Sequence, residues 1–534
     1  MRGETVRGGR FACQGSAGRR SVLWEACINM GILNLDTGIM IIYLLGMLAL
    51  GVYCSRFIKT FDDFFVAGRR LGFPLAVGTM SALFVGGSAI GVAGMGHDYG
   101  IGAIWYYIAY GIGFTALGLT FVVPLRAMNE YTVSDIFAHR YGERVRFVSS
   151  IITFFAWIFF FAAFVVAGAR VVEALLGWPL WVSILVTAGI FTVYTSVGGM
   201  WAVTMTDFVQ FVILVVGLLV IFPVSIHAVG GFTGLYNSLD PGMFSLIPRN
   251  VGEQSMTLFQ GMGYVVATLV VTGITGIVGP DVYIRVWCAK DNRTAKNVLY
   301  AVSVMIVFGA IMLALVGMCA NVLNPGIEHE MAMPWMIRNL LPSGLAGLIL
   351  VALMAAAISG AVPELVVCSS ILANDVYKRV VNKEADDKKL LKVSRCLTFA
   401  VGVCGMALAM VLPGFMDLTY HCYRIFDPAI APITVAAFYS RKVSSKSAML
   451  SMIVGAATAV FCIIAFPQSY LTWADPVIVA TIVSIATLVI SSHFLTSDDP
   501  KRENDFVDYA QEQMALWKEE KKALRAGKTE EAAA

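Results

Sequence analysis

Two glycine-rich stretches, VGGSAIGVAGMG at 85–96 and TGITGIVGPD at 272–281, interrupt apolar segments that are otherwise long enough to cross a bilayer. Around them lie runs such as 203–228 (VTMTDFVQFVILVVGLLVIFPVSIHA) and 297–322 (NVLYAVSVMIVFGAIMLALVGMCANV). At a rise of about 1.5 Å per residue, each exceeds the roughly 20 residues that span about 30 Å of hydrocarbon. Hydrophobic residues make up 58% of the 534 and charged ones 14%, too few to coat a soluble globule. Lipid offers the backbone no hydrogen-bond partner, so the spans must be helices or a closed barrel, and unbroken apolar runs select helices. The chain reads as an all-α polytopic membrane protein.

About thirteen spans follow, at 37–56, 72–97, 100–126, 147–176, 178–197, 203–228, 256–287, 297–322, 343–372, 393–412, 416–440, 447–467 and 474–495. Residues 1–36 are expected to be a disordered leading segment, with Met30 as an alternative start. Residues 37–495 form the membrane domain, and 496–534 a charged tail read as a solvated helix. The loops after alternate spans hold 22 Lys and Arg, from Arg56 to Lys446, against Arg249 and Arg338 on the other side. That asymmetry puts the mature N-terminus outside and the C-terminus in the cytoplasm of a multi-pass inner (cell) membrane protein. The ten cysteines show no metal-ligand spacing and read as reduced core residues.

The interrupted spans are the second and the seventh, five apart in order. If 72–228 and 256–440 are inverted halves, each begins with a broken helix, and the breaks meet near mid-membrane. An unwound turn there exposes polar backbone that a passing solute or ion satisfies, whereas glycine-assisted helix packing is the structural alternative. Charged groups at membrane depth mark where function should be sought: Asp98, Arg170, Glu173, Asp207, Asp281, Glu364, Asp417, Arg424 and Asp427.

Several segments, in order, resemble the sodium/solute symporter family, most of all its bacterial proline symporter branch. They are DDFFVAGRRLG (62–72), TVSDIFAHRYG (132–142), VAGARVVEALLG (166–177), YTSVGGMWAVTMTDFVQ (194–210), IRVWCAK (284–290) and ELVVCSSILANDVYK (364–378). The resemblance implies a LeuT-type fold: a five-plus-five inverted repeat with one helix before it and two after. It implies cation-coupled symport, with sodium, of a small organic solute such as an amino acid or carboxylate, by alternating access. It also implies a sodium site built from the carbonyls of Ala82, Val85 and Ala356 and the hydroxyl of Ser359. A second hydroxyl ligand falls on Gly360, which has none, and the positions of an additional sodium site fall on Val362 and Pro363.

Glu364, one turn beyond Gly360, is read as compensating for that hydroxyl, as a proton carrier, or as facing an inner vestibule. Asp207 is read as lining the inner ion path or as complementing a helix dipole. Solute contacts are expected at Gly86, Gly87, Ser88, Gly276, Arg424 and Asp427. Arg424 and Asp427 share a helix face and can pair with each other. Arg170 and Glu173 read as a structural pair, Trp105, Tyr106 and Tyr107 as interfacial anchors, and His97 with Asp98 as a solvated loop or an outer gate. No catalytic set, cofactor motif or nucleic-acid signature is present, so an enzyme is not expected. The expected partners are the solute, sodium or a proton, and lipid. A sodium-independent or proton-coupled carrier and a membrane solute sensor remain the alternatives. Neither the solute nor the oligomeric state is legible.

Overall fold

The computed structural model describes residues 35–533 apart from 55, 57–59, 83–87, 252–253 and 467–470, so the leading segment 1–34 lies outside the described residues. The chain is helical almost throughout. In order come α1 (Leu35–Cys54), α2 (Phe73–Ala82), α3 (Ser88–Tyr99), α4 (Trp105–Leu119), α5 (Val133–Tyr141), α6 (Glu143–Leu176), α7 (Leu180–Ala228) and α8 (Leu258–Val278). There follow α9 (Pro280–Cys288), α10 (Asn292–Leu323), α11 (Leu345–Ser370), α12 (Asp387–Val411), α13 (Phe415–Tyr439), α14 (Ser445–Ala465), α15 (Pro476–Phe494) and α16 (Pro500–Ala533). Among the described residues nine helical segments are long and apolar enough to cross a membrane.

One expected interruption coincides with helix ends, and the other, at 83–87, lies outside the described residues. α2 and α3 flank residues 83–87, and α8 and α9 meet at Gly279, whose φ of −59° and ψ of 129° leave the helix just before Pro280. Proline lacks an N–H and is accommodated at a first helical position, so Gly279-Pro280 stops one helix and starts the next. The outer ends of the two broken elements are stitched by backbone, Leu71 N–H to Cys288 O at 3.0 Å and Lys290 N–H to Leu71 O at 2.9 Å. Arg126 secures the same corner, its Nε donating to Ala289 O at 2.8 Å.

One expectation differs. The spans read at 178–197 and 203–228 run together as the single 49-residue helix α7. Between them the sequence supplies Gly198 and Gly199 but no proline, and two glycines weaken a helix by about 1 kcal/mol each without stopping it.

The core sits on α6 and α11, where Val351 to Cys368 are buried without exception. Large apolar side chains are instead exposed along α1, α12, α14 and α15, with Phe494 79% and Ile464 75% accessible, as a lipid-facing surface requires. The tail is not a free solvated helix. Phe506, Val507 and Ala510 of α16 are buried, Phe506 lies 5.5 Å from the Phe438 ring, and Glu503 accepts the Ser445 N–H at 2.8 Å.

Candidate functional site

The site is assembled where α2, α7, α9 and α11 converge beside the Gly279 break. α7 approaches α2 closely because Gly78 offers no Cβ: one built there would lie 2.8 Å from the Phe208 ring. That approach places the fully buried Asp207 beside α2, where its Oδ2 accepts from the Thr79 hydroxyl. Its Oδ1 has no hydrogen-bond partner among the described residues, nor does the buried Ser359 Oγ, which faces the same carboxylate from α11. Ala82 ends α2 and Ala356 stands one turn before Ser359, both buried. Val85, Gly86 and Gly87 lie outside the described residues.

Arg285, grouped with the loop charges by sequence, is 3% exposed inside the protein. It lies one turn beyond Asp281 on α9, donating from Nη1 to Asp281 O at 3.0 Å and from Nε to Thr79 O at 3.3 Å. It is the guanidinium that faces Asp207, Asp281 and Glu364 together. A charge in a short segment after a proline looks like loop from sequence; burial depth depends on the packing of α9 under α2.

Glu364 is fully buried; its Oε2 accepts from Trp157 Nε1 of α6, and its Oε1 has no hydrogen-bond partner among the described residues. Gly360 is glycine for a packing reason. A Cβ there would lie 2.2 to 2.6 Å from three atoms of the Phe164 ring, so α6 has taken the space a serine would need. Trp157 and Phe164 sit in an unbroken apolar run, and nothing in the run marks them as neighbours of the ion position.

The solute candidates separate. Ser88, the first residue of α3, is buried and faces Tyr106 and Tyr107. These two tyrosines are fully buried, not interfacial, and belong to a cluster with Tyr110, Tyr420 and Tyr423, in which the Tyr110 and Tyr423 hydroxyls are 2.5 Å apart. Gly276 packs against α4, where its Cα lies 2.9 Å from a Cβ built on Gly113, so this glycine serves close helix packing. The polar backbone of the break begins three residues later, at Gly279.

Arg424 and Asp427 are not paired with each other. Arg424 binds Asp475 through two parallel bonds, Nε to Oδ1 at 3.1 Å and Nη2 to Oδ2 at 2.9 Å, with both side chains buried. Asp475 also caps α15, accepting from Val477 N–H at 3.0 Å. The Asp475-Pro476 pair is a helix-start signal in the sequence, but its partner 51 residues back is not. Asp427 meets Thr275 of α8 instead, Oδ2 to Oγ1 at 2.8 Å.

At the opposite end, Arg170 does pair with Glu173 at 3.0 Å, and it also holds Glu328 and the buried Glu330. Glu330 lies outside the spans; burial raises its carboxyl above the ordinary range while Arg170 opposes the shift. It accepts the Phe415 N–H at 2.5 Å, anchoring the start of α13. His97 is buried on α3, bonded to Asp98 at 2.8 Å, and is not a solvated loop residue.

Comparison with known proteins agrees with this architecture. The chain is 25% identical over 438 residues to the osmoregulated proline transporter OpuE of Bacillus subtilis, covering 79% of this chain and 87% of that one. It is 25% identical over 448 residues to the sodium/proline symporter of Escherichia coli, covering 78% and 86%. A substrate-bound, outward-open structure of a Na+-coupled sialic acid symporter superposes with a TM-score of 0.74 at 18% identity, over 87% of this chain and 98% of that one. The fold is therefore the LeuT-type one. The model of the sodium:solute symporter family matches residues 64–455, and the chain belongs to that family.

Proposed function

We propose that the chain carries a small organic solute, an amino acid or carboxylate, across the inner membrane together with sodium, by alternating access around the two breaks. The observation that supports the ion assignment is that the buried Ser359 hydroxyl and Asp207 carboxylate lie close enough to interact, while Ser359 Oγ and Asp207 Oδ1 make no hydrogen bond of ordinary geometry among the described residues. Orphaned buried oxygens are costly, and a hard cation satisfies them. In this reading the carbonyls of Ala82, Val85 and Ala356 complete the shell with Ser359. Asp207 supplies the charge that the Gly360 position cannot, and Arg285 draws that charge away when the ion leaves.

With Arg424 committed to Asp475, the solute's polar group falls to the ends of the broken helices. In this reading an anionic group would be met at the start of α3, at Ser88. The excess of Lys and Arg on alternate loops supports an outside N-terminus and a cytoplasmic C-terminus. The docking of α16 on the face that carries Arg441 and Lys446 agrees with it.

Thermal unfolding of the purified chain with amino acids and small carboxylates, in sodium and in choline, tests the reading. A solute that stabilises only in sodium supports it. Equal stabilisation in choline contradicts the sodium coupling.

A further inference from the structure

Thr275 has one hydroxyl hydrogen and two close oxygens. Its Oγ1 lies 3.0 Å from Val271 O and 2.8 Å from Asp427 Oδ2. The carbonyl can only accept, so if Thr275 donates to it, the contact with Asp427 is a hydrogen bond only when the carboxyl is the donor. With Asp427 ionised the single hydroxyl hydrogen must be shared between the two acceptors, whereas with Asp427 protonated each contact has a hydrogen of its own.

The surroundings agree. Asp427 is fully buried, and its Oδ1 has no partner among the described residues. The titratable groups that face it are Asp281 on α9, Tyr110 on α4 and Cys422 on its own helix, none of them a cation. Arg424, one turn earlier, is turned to Asp475 at the cap of α15. The neighbouring side chain on α6 is Trp157, whose ring meets Phe426 at 4.7 Å, and α14 approaches with Gly455 against Pro428 O. A carboxylate in that setting has no counter-charge facing it among the described residues.

We propose that Asp427 is a proton-carrying residue of the transport cycle, which donates to Thr275 in the arrangement seen here and releases its proton when α8 and α13 part. The step is an O–H cleavage: water entering between the two helices takes the proton, and Asp427 is left as the carboxylate. Thr275 lies one turn before the Gly279 break, so movement of the broken helix and exposure of Asp427 are one event. A proton then travels as a coupling ion beside sodium. The inference rests on the carrier reading but not on the sodium site.

Infrared difference spectroscopy of the full chain near neutral pH, wild type against Asp427→Asn, reads the proton directly. The isosteric amide can still donate to Thr275, so the variant retains the fold. The wild type should show a protonated-carboxyl band that the variant lacks, and Thr275→Val should shift that band to higher frequency because the carboxyl loses its acceptor. Superimposable carboxyl regions in wild type and Asp427→Asn would overturn the proposal. In proteoliposomes holding a pH dye, with L-proline as the trial solute, the wild type should move protons with the solute. Solute exchange without proton movement refutes the proton role alone, whereas no exchange of any amino acid or carboxylate tried refutes the carrier reading.

Discussion

At the residue scale, polar groups inside the bundle are decided by their partners. Arg424 looked like a solute carboxylate receptor, yet its guanidinium is held by both oxygens of Asp475. Asp475→Asn should therefore leave a buried cation without its counter-charge and cost about 3–5 kcal/mol in unfolding free energy. Combining it with Arg424→Gln should recover part of that loss. Unchanged unfolding, with only a weaker affinity for a carboxylate solute, would return Arg424 to the solute site. Gly360 gives a second case. Serine there must displace the Phe164 ring, at a cost of about 1–3 kcal/mol for overpacking. Pairing Gly360→Ser with Phe164→Leu should restore stability, measured by thermal unfolding; if the single variant is as stable as the wild type, the packing account of Gly360 fails.

At the element scale, the capped helix α5 ties the loop between α4 and α6 to the end of α11. Asp135 Oδ1 binds Arg146 at 2.6 Å, and Arg146 binds Asp375 at 2.5 Å. Burial and the nearby Asp375 carboxylate push Asp135 up to about 7, against the pull of Arg146. A raised folded value means the folded state holds the proton more tightly, so this contribution is present in acid and is lost as pH rises through about 7. Wild-type unfolding temperature should thus fall between about pH 4 and 7 relative to Asp135→Asn and level off above, and parallel profiles would contradict the assignment.

The elements were largely legible beforehand. Lipid forces long apolar runs into helices, and Gly279-Pro280 writes one break into the sequence. What escaped was depth and partnership: Arg285 looked like loop and the tail like a solvated helix. Those outcomes depend on which helices touch, and residue spacing along one chain does not encode that. The same limit hid Trp157 and Phe164, which matter only because α6 packs on α11.

At the scale of the whole molecule, the helices around the Gly279 break enclose a shared interior that holds Asp207, Asp281, Glu364 and Asp427, with Arg285 as the guanidinium among them. A static bundle gains nothing from so many buried acids, because each adds a desolvation cost that an apolar residue would not. A carrier uses them, since cations and protons can enter, neutralise the acids and leave on the other side. The apolar outer faces of α12, α14 and α15 hold the rest of the molecule in lipid while the broken helices move.

The most direct measurement is solute uptake into proteoliposomes under an inward sodium gradient, compared with choline, using the amino acid or carboxylate selected by thermal unfolding. Accumulation above equilibrium in sodium, abolished in choline and strongly reduced by Asp207→Asn, is the predicted result. Binding of that solute without accumulation under either gradient would contradict the account, because a receptor binds its ligand and does not concentrate it.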